Sequence, residues 1–143
     1  MMIDERVKEY RKLFSECKAL DPVKAFIQPV DRIDALEAIR ELNTQLADLY
    51  MVSLPTLTVW VRDDNYVPAT GEIYLREPEL EPFLHCFRHH LQNVERKYER
   101  KGLTTEGKLE ISRVPYEDTV YKLYGEDDAI AWARFLIEAR LSE

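Results

Sequence analysis

Glycine is scarce in this chain, four among 143 residues, so no glycine-rich loop is present to cradle a phosphate. Cysteine is scarcer still. Cys17 and Cys86 permit a single bridge, but the N-terminus, MMIDERVKEYRK, is charged from its fourth residue and lacks a secretory pattern, so both thiols are expected to stay reduced. Basic residues are outnumbered 20 to 27, and the resulting net charge of −7 disfavours a nucleic-acid backbone as partner. No apolar run approaches the roughly 20 residues of a membrane span, so no membrane association is expected and the expected location is the cytoplasm. Asparagine and glutamine are few beside abundant glutamate, lysine and arginine, a bias seen in proteins of hot environments. There is no repeat, linker or low-complexity run, and no Ser–His–Asp arrangement can be proposed.

What is present fits one α+β domain spanning residues 1–143, long enough for a single core: a helical part over 1–50, strands and a helix over 55–102, and C-terminal helices over 115–141. Val7, Tyr10, Phe14 and Cys17 recur at helical spacing, which predicts a helix from about Asp4 to Leu20, stopped by Pro22, with Cys17 in its buried stripe. Asp31 predicts the N-cap of a second helix ending near Tyr50, with Ile33, Leu36, Ile39, Leu42 and Leu46 on its buried side. TLTVWVR at 56–62 and EIYLR at 72–76 predict strands, with Trp60 in the core. DDNYVPATG between them suits a turn or loop, and a hairpin or a split pair both remain open. After Pro78, Leu80, Phe83, Leu84, Phe87, Leu91 and Val94 predict a helix with Gly102 beyond its end. KLEISRV, at 108–114, could add a strand. The segment from Tyr116 to Leu141 predicts two helical pieces broken or bent near Gly125, with Trp132 and Phe135 in the core. ERKYERKG, at 95–102, reads as a solvated helical face of mixed charge.

All three histidines fall within FLHCFRHHLQ, residues 83–92. On a helix, His85 and His89 are four apart, so both imidazoles project from one face, where they can hold one metal ion or simply pack. His90 reads as a surface or hydrogen-bonding histidine. Arg88 and Gln92 read as outer-face residues without a role.

The stretch GEIYLREPELEPFLHCFRHHLQ resembles the active-site region of zincin metallopeptidases, in which a strand precedes a helix bearing H-E-x-x-H. The likeness runs over about residues 56–136 and is to the small single-domain members, in which a small sheet packs against the active-site helix. It implies zinc as cofactor, with His85 and His89 as two ligands. In the gluzincin branch the third ligand is a glutamate on a later helix, often heading E-x-x-A. GEDDAIAWA supplies Glu126 three residues before Ala129, and Asp127 and Asp128 stand beside it should the assignment slip by one.

One position departs from that pattern. Where the family has the glutamate that takes a proton from zinc-bound water, this chain has Cys86, whose side chain is too short to reach such a water. The resemblance therefore implies a catalytically impaired homologue, a pseudoenzyme that binds zinc and a peptide or protein partner. Two alternatives stay open: an active peptidase in which another group, such as Asp127 or a tyrosine, handles the proton, and a metal-free structural protein. Tyr116, Tyr121 and Tyr124 could supply a hydroxyl to a metal-bound oxyanion, but packing explains them better. Cys86 and His90 are i, i+4 neighbours, so a thiolate stabilised by His90 is available as nucleophile, redox sensor or soft ligand. Phe83 and Phe87 nearby point instead to a buried, inert thiol.

Overall fold

The structure, a computed structural model, describes residues 3–12, 18–100 and 119–141, with side chains described over 3–11, 18–94 and 125–141. The expectations for Phe14, Cys17, Gly102, the strand at 108–114 and Tyr116, and those for the side chains of Tyr121 and Tyr124, lie outside these residues.

The described chain is α+β, five helices and a three-stranded sheet: α1 Ile3–Lys12, α2 Leu20–Ala25, α3 Arg32–Tyr50, β1 Thr56–Val59, β2 Asn65–Val67, β3 Glu72–Leu75, α4 Leu80–Arg100 and α5 Thr119–Leu141. Among the described residues no helix is long and apolar enough to cross a membrane.

Pro22 does not stop a helix. It is the third residue of α2, inside the first turn, where a backbone N–H has no helical partner to lose. Asp31 caps α3 as expected, its Oδ1 accepting from Ile33 N at 2.9 Å and Asp34 N at 3.0 Å. The buried stripe of α3 is Ala35, Ile39, Leu42, Asn43, Leu46 and Ala47. Ile33 precedes Ala35 by two residues, about 200° of helix rotation, and so faces solvent.

The sheet has the order β1-β3-β2, with β3 central, parallel to β1 and antiparallel to β2. β2 lies within the stretch that composition assigns to a turn, and a single short strand there suffices to make a hairpin with β3. Gly71, at φ 70, closes that hairpin, and a Cβ there would stand 3.7 Å from His90 Cε1. The predicted 56–62 strand ends early because Trp60 takes φ 60. Its ring is exposed under the Arg32 guanidinium at 4.8 Å rather than in the core.

On β3, Ile73 and Leu75 turn into the core, which they share with Phe83, Leu84 and Phe87 of α4 and with Trp132, Phe135 and Leu136 of α5. The Phe87 and Trp132 rings stack with centroids 6.5 Å apart. α5 runs unbroken through Gly125. One glycine costs a helix only about 1 kcal/mol, which the packing of α5 along α4 and α1 outweighs. That packing also makes α4 a central helix, with the sheet on one side and α5 on another. Few of its faces are left for solvent.

Candidate metal centre

His85 and His89 leave the same face of α4, ring centroids 5.0 Å apart, and meet Glu126 from α5. Glu126 Oε1 lies 2.7 Å from His85 Nε2, and Oε2 lies 3.2 Å from His89 Nε2. One ligating atom from each of the three residues falls within 4.8 Å of the others. The side chains are 28%, 15% and 51% exposed respectively, so the cluster opens to solvent on the Glu126 side. The contacts with His85 first and then His89 hold the Glu126 carboxyl well below the usual carboxylate range, against the opposing effect of burial.

Of the three consecutive acidic residues, Glu126 is the one that joins the histidines. Asp127 is half-buried and belongs to no such cluster among the described residues. Asp128 turns inward, 3% exposed, where Arg88 Nε donates to its Oδ2 at 2.7 Å and Arg6 Nε to its Oδ1 at 2.9 Å. Tyr10 Oη also donates to Asp128 Oδ1 and accepts from Arg88 Nη2 at 2.8 Å. Burial raises the Asp128 pKa, but the charges and hydrogen bonds of Arg88 and Arg6 outweigh it and hold the carboxyl well below its usual range.

Arg88 and Gln92 are therefore not outer-face residues. Both are buried, because α5 packs along the side of α4 that carries them and Tyr10 of α1 reaches Arg88. Gln92 Oε1 lies 2.9 Å from His89 Nδ1, and Gln92 Nε2 donates to Gly125 O at 3.0 Å and Asp128 Oδ2 at 2.9 Å. The sequence carried a signal for these residues. Arg88 is four residues after Leu84 and three before Leu91, and Asp128 is four before Trp132, which puts each charge on its helix's buried stripe.

The third histidine does other work. His90 is buried, with Nε2 on Ser53 O at 2.7 Å and Nδ1 on Tyr66 Oη at 2.7 Å, and Asn93 Nδ2 donates to the same hydroxyl at 3.0 Å. A carbonyl only accepts, so the proton of a neutral His90 sits on Nε2, and Tyr66 donates to Nδ1. This ties α4 to β2 and to the segment before β1. Histidine therefore recurs here for two reasons, a pair that faces Glu126 and a single residue that fastens the sheet.

Cys86 is a free thiol, 3% exposed, within the apolar core. Burial first, then the charges of Asp64 and Glu126, push its pKa up to about 12, so it is a neutral thiol near pH 7 and not a thiolate.

No protein-family model matches the chain, and no curated protein or solved structure matches it.

Proposed function

We propose that this chain is a zincin-like protein that binds zinc through His85, His89 and Glu126 and lacks the proton-transfer group of a peptidase. The observation that carries the reading is the convergence of two imidazole nitrogens and a carboxylate oxygen within 4.8 Å, from two helices and with solvent access. Two nitrogens and one oxygen are a donor set suited to zinc, and the order of a strand, an HxxxH helix and a later helix with glutamate is that of the gluzincin pattern.

Zinc bound at such a set supplies Lewis acidity and lowers the pKa of a coordinated water. The chain's own residues do the rest. His85 and His89 offer lone pairs, and the ionised Glu126 offsets the cation's charge. Cys86, at the position where a base is needed, is buried and protonated, so it accepts no proton near neutral pH. The role that follows is retention of a peptide or protein segment at the metal without turnover.

Metal analysis of tag-free protein purified from zinc-containing medium tests the reading. About one zinc per chain is expected, falling to background in a His85→Ala, His89→Ala double variant. Zinc no higher in the parent than in that variant would overturn it.

A further inference from the structure

Gln92 hydrogen-bonds to the candidate metal centre at His89, and its amide orientation is determined by its neighbours. Its amide group faces Gly125 O at 3.0 Å and Asp128 Oδ2 at 2.9 Å. Both of those atoms only accept hydrogen bonds, so the NH2 end must point at them and the carbonyl end, Oε1, must point at His89. The opposite orientation would set a carbonyl oxygen against a carboxylate and another carbonyl in a fully buried place. Asp128 is fixed in turn by Arg88, Arg6 and Tyr10, so it cannot rotate away without breaking its buried ion pair with Arg88 and its bonds to Arg6 and Tyr10.

The consequence falls on His89. An acceptor oxygen 2.9 Å from Nδ1 requires the proton on Nδ1. In the neutral ring, Nε2 then carries only a lone pair, and it points at a Glu126 oxygen 3.2 Å away, an acceptor facing an acceptor. Such a pair is favourable only with a cation or a proton between the two atoms.

We propose that Gln92 is the positioning residue of this centre: it holds His89 as the Nδ1–H tautomer, with the Nε2 lone pair turned toward the space shared with His85 and Glu126. The zinc-affinity part of this inference rests on the metal reading above, and the tautomer part does not. Through Asp128, the same chain of contacts reaches Arg6 and Tyr10, so helix α1 belongs to the support of the site.

Long-range proton–nitrogen correlation spectra of the full-length, chelator-treated protein, recorded above the ordinary histidine titration range, read the tautomer directly. The parent should show His89 protonated at Nδ1. Gln92→Met, equal in length and without an acceptor, should lose that signature. Gln92→Glu, which keeps an acceptor, should retain it. In competition with a chromogenic chelator, Gln92→Met should bind zinc about 10–100-fold more weakly than the parent. A parent His89 protonated at Nε2, or a folded Gln92→Met protein with unchanged tautomer and zinc affinity, would overturn the proposal. The parent spectrum needs no variant and decides the matter even if Gln92→Met does not fold. A parent with Nδ1–H His89 that takes up no zinc would support the role of Gln92 and overturn the zinc reading alone.

Discussion

Arg88 Nε lies 2.7 Å from Asp128 Oδ2, joining α4 to α5 through an ion pair in which both side chains are buried. Arg6 brings a second guanidinium to the same carboxylate from α1. One anion thus serves two cations, and its removal takes the carboxylate partner from the buried Arg88, while Arg6 keeps its pair with Glu9 at 2.8 Å. Breaking a buried pair in this way typically costs about 3–5 kcal/mol. Asp128→Ala should therefore lower the free energy of unfolding in urea by about that amount, whereas Arg6→Ala, which leaves the Arg88–Asp128 pair in place, should cost less. Equal and small losses in the two variants would contradict the arrangement.

The same carboxylate sets the direction of the acid response. The Asp128 pKa is depressed in the folded chain, so the unfolded chain binds more protons as pH falls through the ordinary aspartate range near about 4. The stabilisation is fully present above that range and is lost progressively below it, toward the folded pKa. Glu126, half exposed, acts in the same sense with less weight. Urea midpoints measured downward from about pH 6 should fall steeply in the parent and less steeply in Asp128→Asn. A parallel decline in the two proteins would remove Asp128 from the account.

Tyr66 offers a separate test of the sheet attachment. Tyr66→Phe keeps the ring against His90, with which it makes an edge contact at 5.6 Å, and removes the hydroxyl that His90 Nδ1 and Asn93 Nδ2 both face. Loss of a buried partner costs about 1–3 kcal/mol, and the metal centre should be unaffected because neither residue belongs to it. Urea unfolding and zinc titration of one preparation check both halves of the statement.

These contacts show where sequence periodicity was informative and where it was not. The α3 cap at Asp31, the strand at 72–75 and the apolar stripe of α4 follow from local preferences that tertiary packing reinforces. His85, His89 and Glu126 were recognisable through spacing and a family-like pattern, and the fold brings them together. Arg88 and Gln92 read instead as outer-face residues and Asp128 only as a stand-in for Glu126, because a polar residue on an apolar stripe reads as solvated until a second helix covers it. Helix α5 provides that cover from 33 to 40 residues further along the chain. Likewise Trp60 reads as a strand residue by type, but its positive φ is set by the turn toward β2, which no preference of tryptophan predicts.

Zinc itself should act on stability. A ligand that binds only the folded chain adds about 2.7 kcal/mol at one hundred times its dissociation constant. For a chain of this length that corresponds to a rise in Tm of roughly 8 °C. The rise should disappear in His89→Ala and in the presence of chelator. Because the core around Phe83, Phe87 and Trp132 contains no metal ligand, the zinc-free protein should still unfold cooperatively. Identical scans with and without zinc, for a protein carrying the metal, would contradict the coupling.

The last prediction concerns Cys86. On the zincin-like reading, Cys86→Glu restores a carboxylate between His85 and His89 on a helix that already presents both ligands. The replaced thiol is 3% exposed and near the negative charges of Asp64 and Glu126, so a glutamate there is destabilising while no cation is bound. Zinc relieves that repulsion. Its addition should therefore raise the Tm of Cys86→Glu by more than it raises that of the parent. A positioned base is worth about 10²–10⁴ in rate, so the variant should gain chelator-sensitive cleavage of an unstructured peptide of that order over the parent. Glu126→Gln, added to Cys86→Glu, should abolish the gain by weakening the third ligand. A zinc-loaded Cys86→Glu protein that cleaves nothing in a broad peptide library would contradict the proposal that the parent differs from a peptidase by loss of the base alone, and would mean that the proposed site also lacks a substrate cleft or a group to stabilise the oxyanion.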